Sequence, residues 1–186
     1  MSAGPLPTQI TNRNFLSPTA FHFQVNRAPK LSFYGSSINI PSVSFNSEVQ
    51  PNYLRDIPIV GTKLDFGELS VRFYIDEGLE NYMEIQDWLR GIGYPEDLDE
   101  IYKWRKNNPN MPDEKKSELN LYSDGTLTIL NSNNNPMFRV LFRDLFPVSL
   151  TQVEFDTTIT DLVYLQANVN FRYTIYNIEP IDCTKC

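Results

Sequence analysis

The chain has 186 residues, enough for one domain with a full core. Its composition is 41% hydrophobic and 13% aromatic, which argues against a disordered polymer and for a β-rich fold over a helical bundle. The net charge of −7 argues against a surface that works by neutralising phosphates, and no apolar run approaches the roughly 20 residues that span a bilayer.

Residues 1–18 are polar and proline-bearing and are predicted to form an arm; they hold no basic segment followed by an apolar one, so no signal peptide is expected. Phe21, Phe23 and Val25 then alternate with His22, Gln24 and Asn26, the period of a strand with one buried face. Ala28 and Pro29 turn the chain. Leu31 and Phe33 open a second predicted strand reaching Ile40, with Gly35, Ser36 and Ser37 as a bend.

Residues 42–63 contain Pro51, Pro58, Asn52 and Gly61, which break regular elements, yet carry Val49, Tyr53, Leu54, Ile57 and Ile59. So long and apolar a loop has two readings. It folds over its own core, or it is an extended hairpin whose apolar residues bury against another subunit.

The 64–93 stretch, LDFGELSVRFYIDEGLENYMEIQDWLRGIG, is where the period changes. Leu69, Val71, Phe73 and Ile75 alternate with Ser70, Arg72 and Tyr74, predicting one long strand. Asp76 reads as a helix N-cap, with Glu77 and Glu80 suiting the positive end of the dipole. Leu79, Tyr82, Ile85, Trp88 and Leu89 form one apolar stripe, and Gly91, Gly93 and Pro95 supply a stop.

Residues 94–122 are dense in charge, Asn and Pro and read as an exposed insertion, with a short helix expected over 98–105. Strands return at 125–130 and, across the Asn-rich 131–136 turn, at Phe138, Val140 and Phe142, giving a hairpin over 125–143. The 144–147 segment, Asp-Leu-Phe-Pro, is expected to end it, and a further strand follows over 149–155. The last strand places Val169, Phe171, Tyr173 and Ile175 on one face and Asn168, Asn170, Arg172 and Thr174 on the other. Residues 180–186 read as a tail, leaving 19–179 as a single domain.

Little in the chain points to chemistry. His22, the one histidine, falls on the polar face of a strand with no partner at triad-like spacing. Cys183 and Cys186 have CxxC spacing at the chain's last residues, without a second pair for a zinc site or a following helix for a redox motif. No Gly-rich phosphate loop or calcium-binding pattern occurs, so no enzyme, metal or cofactor is expected. What remains is a set of polar strand faces. Gln24 and Asn26, with Arg72, Asn168, Asn170 and Arg172, are candidates to line an aqueous lumen or an interface.

The order of these segments carries a resemblance. The strand–Asp-Glu–helix–Trp unit at 69–91, the DLFPVSL segment at 144–150 and the closing NFRYTIY strand at 170–176 are its most specific parts. Over residues 15–178 the chain resembles the tail tube proteins of contractile-tailed, T-even-like bacteriophages. The resemblance implies a mainly β fold, a small antiparallel barrel or sandwich flanked by one amphipathic helix. It also implies hexameric rings stacked into a tube, with the 42–63 loop reaching the adjacent ring. The expected partners are then further copies of the chain, the tail sheath, baseplate and neck proteins, and the tape measure protein and DNA passing through the lumen. Assembly is expected in the host cytoplasm, residence in the virion, and no membrane. An acidic lumen suits sliding DNA, since it repels phosphates. A tube initiator or terminator is the alternative within the family. Outside it, the alternative is a β-sandwich module that binds a glycan through Tyr34, Tyr53 and Tyr74.

Overall fold

The computed structural model describes residues 15–93, 99, 121–158, 161 and 163–181. Among them the elements are β1 (Phe21–Val25), α1 (Pro29–Phe33), β2 (Gly35–Ile38), β3 (Val43–Gln50), β4 (Ile57–Phe66), β5 (Leu69–Tyr74), α2 (Glu80–Gly93), β6 (Ser123–Leu130), β7 (Pro136–Leu150), β8 (Gln166–Arg172) and β9 (Ile175–Pro180). The 1–14 part of the arm, the insertion from 94 to 120 with its expected short helix, apart from residue 99, and the tail beyond 181 lie outside the described residues.

All pairings are antiparallel, and β7 belongs to two layers. Its first half lies between β6 and β9, with β1 beyond β6; its second half pairs with β8, followed by β5 and β2. The register on the β8–β9 side does not slip at the join. Arg143 faces Ile175 and Phe146 faces Arg172, so one ladder crosses a corner. The corner is made by Asp144, whose φ of 55° few side chains tolerate. Opposite it, a bend at Tyr173 and Thr174 separates β8 from β9.

Between the layers, alternate residues of β1, β5, β6, β7 and β8 meet. Phe23, Val25, Leu127, Val140 and Phe142 come from one layer; Leu69, Val71, Phe73, Val169 and Phe171 come from the other, all buried. Each such side chain contributes about 1.5–3 kcal/mol on leaving water. Ile85 and Trp88 bring α2 into the same core, and Trp88 packs on Phe171 with ring centroids 6.1 Å apart. This is the expected mainly β sandwich with one flanking amphipathic helix.

Several local expectations are corrected. Residues 29–33 form a short helix instead of the start of a strand, with Pro29 in the first turn, where its missing N–H is no loss. The long strand through 64–75 breaks at Gly67 and Glu68, which divide β4 from β5. Asp76 does not cap α2. Its carbonyl accepts from Leu79 N–H at 2.8 Å in a turn, Leu79 takes φ of 55°, and the helix starts at Glu80. Leu79 is consequently exposed, while Asn81 is buried; its amide donates to Tyr74 O at 2.8 Å and its Oδ1 accepts from Asp76 N–H at 3.3 Å. Gly91 does not stop the helix, which continues to Gly93. β7 passes through the 144–147 segment to Leu150, and 151–155 is not strand. Among the described residues only β8 pairs with β7 beyond Leu145, so Pro147 lies where no second described ladder needs its N–H.

Candidate assembly surfaces

Two surfaces follow from this framework. The first is the β3–β4 hairpin, which forms a sheet of its own, apart from the two layers. All of β3 and nearly all of β4 are exposed. The structure therefore favours the extended hairpin over a loop folded on its own core. At 3.3 Å per residue, β4 is about 33 Å long.

The five predicted contact residues divide among three places. Val49 faces Pro58 across the ladder and shares a side with Val60. Ile57 and Ile59, opposite Gln50 and Glu48, lie on the reverse side. Tyr53 and Leu54 form the tip, 99% and 92% exposed. Val43, Phe45, Val60 and Leu64 extend the apolar side and are also exposed. Contiguous exposed apolar patches are characteristic of interaction sites.

The hairpin stands clear but is firmly rooted. Phe66, Phe142, Tyr173 and Tyr176 form a ring cluster at the β7 corner, with centroids 5.2–6.2 Å apart. Tyr173 Oη donates to Gly67 O at 2.9 Å and Tyr176 Oη to Pro41 O at 3.2 Å, one bond to each leg of the hairpin. Gly67 N–H closes the base on Ser42 O at 2.8 Å. Burial, and then the neighbouring Tyr176, push the Tyr173 phenol up to about 12. A register shift in the hairpin places Gly61 against Asn46, where a Cβ would lie 1.9 Å from the Asn46 carbonyl oxygen.

The second surface is polar. Arg72, Asn168, Asn170 and Arg172 share the outer face of β5 and β8, where Arg72 pairs with Asn168 and Ser70 with Asn170. Ser70 Oγ donates to Asn168 Oδ1 at 2.9 Å, and Asn168 Nδ2 donates to Asn170 Oδ1 at 3.2 Å. Arg172 meets Glu68 at 3.1 Å. The face is held by neutral amides and one exposed ion pair, worth at most about 1 kcal/mol. Gln24 and Asn26 do not join it. They lie on β1 and just past its end, in the other layer, with Gln24 opposite Thr126. The predicted polar set is therefore two faces.

His22 is exposed opposite Thr128. Cys183 and Cys186 lie outside the described residues. The three tyrosines of the glycan reading do not converge. Tyr34 and Tyr74 are neighbours, joined by Tyr74 N–H donating to Tyr34 O at 2.9 Å, whereas Tyr53 is at the hairpin tip.

Sequence reasoning gave no role to Arg27, which is buried. Its guanidinium lies 5.5 Å from the Trp88 ring centre and donates to Tyr122 O at 3.4 Å. Trp88 Nε1 donates to Leu121 O at 3.1 Å. The chain's return from the 94–120 segment is thus anchored on α2. No local pattern could reveal this, because the partners are far apart in sequence.

No protein-family model matches the chain, and no curated protein sequence does. Solved structures do. The anti-feeding prophage cap, described as the tube-terminating cap, has a TM-score of 0.62 at 12% identity, covering 96% of this chain and 100% of that one. The sheath–tube complex of the PVC extracellular contractile injection system, in its extended state, gives 0.59 at 13% identity, with 96% and 100% covered. The six-fold symmetrised anti-feeding prophage baseplate gives 0.56 at 13% identity, with 95% and 99% covered. At these identities the likeness is one of fold: a tail-tube-like antiparallel β domain with one main helix.

Proposed function

We propose that the chain is a structural subunit of the tube of a contractile phage tail, assembling as hexameric rings that stack around a DNA-conducting lumen. The observation that carries this is the β3–β4 hairpin: an apolar, clear-standing element with a stiff root, on a fold shared with chains of tube and cap assemblies. The open ladders support ring closure. β1, β2 and β9 each pair on one side alone among the described residues, and such edges present unpaired N–H and C=O groups to which another chain can pair. In this reading the domain spans 19–179 and the hairpin engages the next ring. One of the two polar faces lines the lumen, and the net charge of −7 keeps DNA from sticking. The sheath encloses the tube, the baseplate and neck proteins bound it, and the tape measure protein passes through it.

Electron microscopy of the purified protein as concentration rises tests this reading. Rings or tubes are expected; a species that stays monomeric at high concentration and is absent from virions overturns it. The likeness to the tube-terminating cap favours a second reading, a subunit at the end of the tube. Copy number per virion separates the two, with a handful of copies for an end position and a large multiple of six for the tube wall.

A further inference from the structure

The hairpin leaves the body at one end of the β5–β8 pair, and the opposite end carries a surface of matching chemistry. β5 runs about 20 Å from Leu69, next to the hairpin root, to Tyr74. Just past it, Ile75 N–H donates to Leu165 O at 2.9 Å, fixing the last residue before β8 at that far end. Tyr82 Oη donates to Thr151 O at 3.3 Å and holds the start of the 151–165 connection on α2. Tyr74 packs edge-on against Tyr164, with centroids 6.4 Å apart, and both rings remain exposed, as do Val163 and Phe155. The connection carries Glu154, Asp156 and Asp161 and no Lys or Arg. At the hairpin tip stand Tyr53, Leu54 and Arg55: a ring, an aliphatic side chain and a cation, all exposed.

We infer that Tyr74, Glu154, Asp156, Val163 and Tyr164 form the seat for the hairpin tip of a second copy of this chain. The inference rests on the tube reading and names the receiving surface within it. Tyr53 and Leu54 bury against Tyr74, Tyr164 and Val163, and Arg55 lies against the carboxylates of Glu154 and Asp156. Charge complementarity chooses the partner and the register, while the apolar contacts supply most of the attraction. The donor and receiving surfaces differ and lie at opposite ends. The contact is therefore head-to-tail, the kind that propagates along an axis instead of closing.

Directed cross-linking tests it on the full chain. In a Cys183→Ser, Cys186→Ser background, Leu54→Cys and Val163→Cys are combined and oxidised after assembly. A ladder of disulfide-linked multimers extending beyond the dimer is expected, with dimers at most from either single-cysteine variant. In a second arm, Arg55→Glu raises the concentration needed for tubes about tenfold, and Glu154→Arg with Asp156→Arg in the same chain restores it. Normal tubes that give no ladder and ignore Arg55→Glu overturn the seat and leave the tube reading standing. A chain that is monomeric at every concentration overturns both.

Discussion

Tyr173 Oη donates to the Gly67 carbonyl at 2.9 Å, joining residues 106 apart in sequence. Gly67 follows the last residue of the hairpin, and Tyr173 lies in the two-residue break between β8 and β9. The corner that folds the ladder into two layers is therefore the same place that holds the hairpin. Phe66 and Tyr176 pack on Tyr173, so apolar burial and hydrogen bonding act together there. In the proposed tube, a hairpin fixed in this way would keep its orientation before contact, which lowers the entropy lost on association.

The Tyr173 phenol makes the root sensitive to alkali. Its folded value is about 12 against an ordinary 10.0, so the folded state holds the proton that the unfolded state has released. The stability it contributes is complete below pH about 10 and is lost as pH rises toward about 12. Tyr173→Phe is expected to flatten this part of the melting-temperature profile and, at neutral pH, to cost about 1 kcal/mol for the lost hydrogen bond. An unchanged alkaline profile in the variant would show that Tyr173 is not the group responsible.

Gly61→Ala separates the hairpin from the body. The added methyl would stand 1.9 Å from the Asn46 carbonyl oxygen, a backbone atom that a rotamer change cannot move. The β3–β4 pairing is expected to weaken by about 1–3 kcal/mol. Among the hairpin's residues only Phe66, at the root and away from Gly61, packs toward the core, so the melting temperature of the body should change little while assembly falls. Circular dichroism melting and sedimentation together check this. A large drop in melting temperature would mean that the hairpin supports the body.

What could be read in the sequence had a short period. Leu69, Val71 and Phe73, like Val169 and Phe171, alternate over enough residues to declare a buried face, and these faces form the core. The 29–33 helix is too short for any period to show. Asp76 looks like a cap because its type is right, but the chain uses its carbonyl in a turn and starts the helix later. The segment around Asp144 and Pro147 reads as a strand end. It is instead a corner that continues the strand, because Pro147 lies where no second described ladder calls for its N–H. The candidate surfaces were legible as residue types but not as groupings. Val49 and Ile57 fall on opposite sides of the hairpin, and Gln24 falls in a different layer from Asn168, since pairing partners are set by contacts distant in sequence.

Trp88 is the most consequential side chain of α2. It is buried on Phe171, stacks with Arg27 and donates to Leu121 O. Trp88→Ala is expected to destabilise the subunit by about 3–5 kcal/mol through the cavity it leaves. Trp88→Phe retains most of the packing but drops the Leu121 bond and should cost less. Chemical denaturation of both variants checks the order; equal losses would mean that the indole N–H is the main contribution.

Glu84 has an unfavourable place. Burial raises its carboxyl above 4.5, against the lowering by the Lys30 backbone N–H and the Lys30 charge, and its Oε2 is buried without a hydrogen-bond partner among the described residues. The folded value lies above the unfolded one, so its contribution is present below 4.5 and is lost as pH rises through the folded value. Glu84→Gln keeps an acceptor for the Lys30 N–H and has no charge to desolvate. The variant is expected to melt higher than the original chain at neutral pH and level with it in acid. A lower melting temperature at neutral pH would show that attraction to Lys30 outweighs desolvation.

Ile57→Asp tests whether the hairpin serves the subunit or the assembly. Ile57 is 44% exposed, opposite Gln50 at the outer end of the ladder, with no core residue beneath it. A surface substitution of this kind changes stability by about 0.5 kcal/mol or less. The melting temperature of the monomer should therefore hold. An aspartate pressed into an apolar contact must lose water without a partner, at a cost of several kcal/mol, and tubes should not form. Melting curves and electron micrographs of the same preparation check both halves. If the melting temperature falls sharply and tubes persist, the hairpin covers its own domain instead of reaching a neighbour.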